Sequence, residues 1–86
     1  MAKINPALEH QLKNMPNRSV DLIVRTADDA EPHLEWTKSV GLEVKQVYRL
    51  SPGMAVSGPG RAALKLVDQS WVVSIELDAQ VKTMGG

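Results

Sequence analysis

Apolar residues alternate along this chain in four short runs, and each run is closed by residues that cannot extend it. Val20-Asp-Leu-Ile-Val-Arg-Thr26 sets Val20, Leu22 and Val24 on one face and predicts a first strand. Leu42 to Leu50 alternates again, with Leu42, Val44, Tyr48 and Leu50 on one side; Gln46 interrupts the apolar face and Val47 the polar one. Ser51-Pro-Gly53 reads as a turn, because Pro fixes φ and Gly accepts φ > 0. Met54-Ala-Val-Ser57 then returns as a third strand. Trp71-Val-Val-Ser-Ile-Glu-Leu77 predicts a fourth, with Trp71, Val73, Ile75 and Leu77 on one face.

Two helices fit between these runs. Asp28 and Asp29 are good N-caps, and Pro32 falls in the first turn, where its missing N–H costs little. That helix runs to about Val40 and stops at Gly41, with Ala30, Leu34 and Thr37 inward. Gly58-Pro-Gly60 precedes a second helix from Arg61 to about Asp68, with Ala63, Leu66 and Val67 inward. The order predicts an α+β chain of the ferredoxin-like βαββαβ kind: a four-stranded antiparallel sheet with two helices on one face. Residues 20–78 form that body. Residues 1–19 read as a loosely ordered lead-in, with one helical turn from Ala7 to Lys13 (Leu8 and Leu12 at i,i+4) broken by Met15–Ser19. Residues 79–86 read as a tail with no helical pattern and no closing turn.

The 86 residues include no cysteine, so neither a disulfide nor a cysteine metal site is available. A core of this size leaves a net stability of roughly 3–5 kcal/mol, resting on packing alone. Ten basic and ten acidic residues balance, without the basic stripe of a nucleic-acid binder. Two Trp and one Tyr are too few for base-stacking platforms. No apolar run is long enough to span a bilayer. The N-terminus lacks the apolar core of a secretory signal, which predicts a cytoplasmic chain; a fragment processed from a longer chain would instead be extracellular.

Catalytic and cofactor signatures are weak. His10 and His33 have no third ligand at metal-binding spacing, and no Ser/His/Asp constellation accompanies them. Ser57-Gly-Pro-Gly-Arg61 lacks the ending of a phosphate loop, and Pro59 removes a donor, so it reads as a turn and helix entry. An acylphosphatase would need a basic loop after strand one, where this chain has Thr26-Ala-Asp-Asp29. An RNA-binding sheet would need exposed aromatics on strands one and three, which offer none. The expectation is a binding protein with no cofactor and no enzymatic activity.

Strand Val20-Asp-Leu-Ile-Val, helix residues His33-Leu-Glu-Trp36, the hairpin ending Ser51-Pro-Gly-Met-Ala-Val56 and above all Trp71-Val-Val-Ser-Ile-Glu-Leu-Asp78 carry a resemblance. From about Val20 to Met84 the chain resembles the subtilisin propeptide and proteinase-inhibitor family. Members are intramolecular chaperones and inhibitors of subtilisin-like serine proteases. The resemblance implies that the open sheet face docks on two parallel surface helices of the protease. Glu76 and Asp78 would accept hydrogen bonds from those helices' N-termini, where N–H groups are orphaned and the dipole is positive. The tail would lie in the substrate cleft as a product-like strand. By the family spacing Met84 would fill the primary specificity pocket, with Thr83, Lys82 and Val81 in the next three subsites. The plain alternative for Glu76 and Asp78 is a solvated strand face, whose charges protect an edge from aggregation. The alternative for the whole chain is a non-inhibitory interaction or regulatory module of the same fold.

Overall fold

A computed structural model describes residues 4–78. Helix α1 spans Pro6–Asn14, and strand β1 spans Ser19–Thr26. A 3-10 turn at Glu31–His33 leads into α2, Leu34–Ser39. Strands β2 (Glu43–Tyr48) and β3 (Gly53–Pro59) form a hairpin, α3 covers Gly60–Val67, and β4 is Val72–Leu77. The protein is α+β, with one four-stranded antiparallel sheet in the order β2-β3-β1-β4 and three α-helices among the described residues.

One face of the sheet carries the core. Leu22 and Val24 of β1, Met54 and Val56 of β3, and Val72 and Ile75 of β4 cluster with Leu8 and Leu12 of α1 and with Ala62, Ala63 and Leu66 of α3. Thr37 of α2 is fully buried; its hydroxyl donates to the His33 carbonyl at 2.8 Å, which removes the cost of burying it. Among the described residues no helix is long and apolar enough to cross a membrane.

Helix α1 is the first departure from the sequence reading. Where the pattern suggests a loosely ordered lead-in with a single turn, Ile4, Leu8 and Leu12 are core residues, and Ile4 bridges Ile75 of β4. The start is fixed locally. Asn5 accepts from the Ala7 N–H at 2.8 Å, and Pro6 occupies the first turn. Two helices were expected on the sheet, and α1 makes a third.

The strand faces depart next. The β2–β3 register runs Val44↔Val56 and then Gln46↔Ala55, so Lys45 is an extra residue in a β-bulge. Alternation reverses there, which is why Val44 and Val47 both pack on the core while Gln46 and Tyr48 do not. Leu50, expected with the apolar face, is fully exposed at the hairpin turn. In β4, Arg25 pairs with Ser74 but Thr26 with Val72, leaving Val73 as the extra residue. Val72 and Ile75 therefore point to the core, and Val73, expected inward, is 54% exposed. Leu77 lies at the end of β4 and is half exposed beside α1.

The helix ends differ in detail. The expected Asp28/Asp29 cap gives way to the 3-10 turn around Pro32; Asp29 Oδ1 accepts only a long 3.5 Å bond from the Glu31 N–H. Gly41 terminates the α2 segment at φ +108°, a conformation that favours glycine. The first N–H groups of α3 donate to carbonyls of the preceding loop: Gly60 to Arg18 at 3.0 Å and Arg61 to Pro16 at 2.9 Å. These donors are occupied by the protein itself, which supports helix entry over anion binding at Ser57–Arg61.

Candidate docking face

Among the described residues no helix covers the second face of the sheet, and the residues of that face follow from the register. Across the hairpin end run Tyr48, Gly53, Arg25 and Ser74. The next row is Gln46, Ala55, Ile23 and Glu76. The third is Glu43, Ser57 and Asp21, extended by Asp78, whose N–H donates to the Asp21 carbonyl at 3.0 Å. In these three rows β3 supplies Gly53, Ala55 and Ser57, all small, so the centre of the sheet is low. A depression of about 440 Å³ lies toward the hairpin end, with Ile23, Arg25, Tyr48, Arg49, Leu50 and Glu76 among its walls.

Charge is divided along the strands. Arg25 and Arg49 stand at the hairpin end, and Glu43, Asp21 and Asp78 at the other. Lys45, freed from the ladder by the bulge, reaches Asp21 at 3.3 Å, and Arg49 reaches Glu31 at 3.5 Å. Both pairs are solvent-exposed and contribute at most about 1 kcal/mol each. Arg25 and Glu76 sit diagonally across the β1–β4 ladder and form no ion pair or hydrogen bond through their side chains among the described residues.

Of the residues singled out in the sequence, Glu76 is exposed on this face at an outer strand, and Asp78 follows it, half-buried, on the same side. Val81, Lys82, Thr83 and Met84 lie outside the described residues. The pattern analysis set Tyr48 on the apolar side, where the bulge turns it to the open face, and passed over Arg25 and Arg49. The signal for Arg25 was its parity: it alternates with Leu22 and Val24 and so must face away from the core.

The aromatic residues act elsewhere. His33 stacks on Trp71 with ring centroids 4.1 Å apart, and Trp36 meets Trp71 edge-on at 5.6 Å. Trp71 is thus a core-edge anchor, and its carbonyl accepts from the Ala27 N–H at 3.0 Å. His10 lies on α1 beside Asn14, at 3.0 Å. No group of three His, Asp or Glu residues is placed to hold a metal among the described residues. No protein-family model matches the chain, and no curated protein matches it.

Proposed function

We propose that this chain inhibits a subtilisin-like serine protease, docking through the uncovered sheet face and placing the segment after Asp78 in the substrate cleft. The observation that carries the reading is Glu76: an exposed carboxylate at the rim of the sheet, without a side-chain partner among the described residues, two residues before Asp78. A carboxylate in that position has no internal ion pair to give up, and a helix N-terminus would offset the cost of desolvating it. The strand order, with α2 and α3 packed on one face, supports a ferredoxin-like body to which α1 is added. Val81, Lys82, Thr83 and Met84 are the proposed cleft residues. The role is binding alone, without cofactor or catalysis.

The test is competitive inhibition of a subtilisin-type protease on a chromogenic peptide. The intact chain is expected to inhibit at submicromolar concentration. Removing residues 81–86 is expected to weaken inhibition at least a hundredfold, and equal inhibition by the truncated chain would exclude the tail mechanism. Glu76→Ala with Asp78→Ala is expected to weaken binding about ten- to a hundredfold, as for lost charge-assisted hydrogen bonds, with the circular dichroism spectrum unchanged. No inhibition by an intact, undigested chain favours the non-inhibitory interaction module.

A further inference from the structure

The uncovered face carries a second pattern that does not depend on the protease reading. Among the described residues Arg25 and Glu76 have no side-chain partner; they are opposite in charge and flank Ile23: Arg25 is one row along β1, and Glu76 is one strand across. With strands about 4.8 Å apart and two residues spanning about 6.7 Å, the two positions are exchanged by a two-fold axis lying along the face. That axis passes within about 2 Å of Ile23 on the same spacings. We infer that this face pairs with a second copy of the chain about that axis. Arg25 of each copy then meets Glu76 of the other, and Ile23 packs on Ile23.

The rest of the face agrees with the same operation. The axis lays the hairpin end, with Tyr48 and Arg49, over the acidic end around Asp21 and Asp78 of the second copy. Residue i thus meets j and j meets i, as a closed isologous interface requires. The two Arg25–Glu76 contacts bring unlike charges together, while Glu43, which lies within about 2 Å of the axis on the same spacings, faces its own mate and weakens the pairing. Strands of the two sheets cross at roughly 70°, near the orthogonal class of sheet packing. A four-strand face of roughly 19 by 20 Å buries roughly 800 Å² over both copies, below the range of stable specific interfaces, so the pairing is weak and reversible.

Sedimentation velocity of the full chain from 1 to 300 μM, at low salt and at 0.5 M salt, reads this directly. A monomer–dimer equilibrium with Kd of roughly 10–100 μM is expected, weakened severalfold by salt. Arg25→Glu and Glu76→Arg are each expected to weaken it at least tenfold. The two combined are expected to restore it, because each reciprocal pair returns with its signs reversed. In the otherwise cysteine-free chain, Ile23→Cys is expected to cross-link to its mate with a bismaleimide of roughly 8–10 Å, matched to packed sheets about 10 Å apart. A monomer at every concentration, growth beyond the dimer, failure of the double exchange to restore pairing, or no cross-link between folded Ile23→Cys chains overturns the inference.

Discussion

A Cβ added at Gly60 would stand 2.9 Å from the Leu12 carbonyl oxygen, 3.1 Å from that of Met15 and 3.3 Å from the Leu12 Cα. All three are backbone atoms, which cannot rotate aside. The residue therefore sets how closely the end of α1 approaches the start of α3. Beside it, Arg61 fastens the same joint through a 2.7 Å bond from its guanidinium to Asn17 Oδ1. Gly60→Ala is expected to lower stability by about 1–3 kcal/mol, as overpacking does, although alanine is the better helix former. Urea denaturation followed by the fluorescence of Trp36 and Trp71 measures it. A gain in stability would mean that α1 yields easily and is not held against α3.

At the level of elements, the β2 bulge makes a prediction that plain alternation reverses. Val47 packs on the core and Gln46 stands on the open face, so Val47→Ala is expected to cost about 1–2.5 kcal/mol and Gln46→Ala less than about 0.5. Chemical denaturation of the two variants checks both. The existence and sequence order of all four strands were legible, because apolar alternation marks each run and Pro and Gly close the two runs of the hairpin. The bulges were written there too, as the out-of-place Gln46 and Val47 and as the adjacent Val72 and Val73. Period-two reading turns such an irregularity into noise, because it has no place for an added residue. Glu76 was found at an open face; the two arginines were missed, since a hydrophobic pattern identifies the core side and leaves the other face undescribed.

For the molecule as a whole, the core includes its N-terminal segment. Leu12 is 1% exposed and lies in the same cluster as Leu22 and Leu66. Leu12→Ala is expected to cost about 2–5 kcal/mol, comparable to the roughly 3–5 kcal/mol such a small core supplies. Loss of a cooperative thermal transition at 37 °C is the expected outcome, and a transition unmoved by more than a few degrees contradicts it. Two leucines four apart were too short a signal to separate a packed helix from a passing turn; only Asn5-Pro6 marked a true helix start. The sheet order also fixes when the chain can finish folding. β1 lies in the interior of the sheet, yet one of its neighbours is β4, whose last residue is Leu77. During synthesis β1 emerges well before β4 and keeps an unsatisfied edge until β4 has followed. Folding of this domain is therefore closed by its final strand, and a ribosome stalled before it would hold a chain with an open hydrogen-bonding edge.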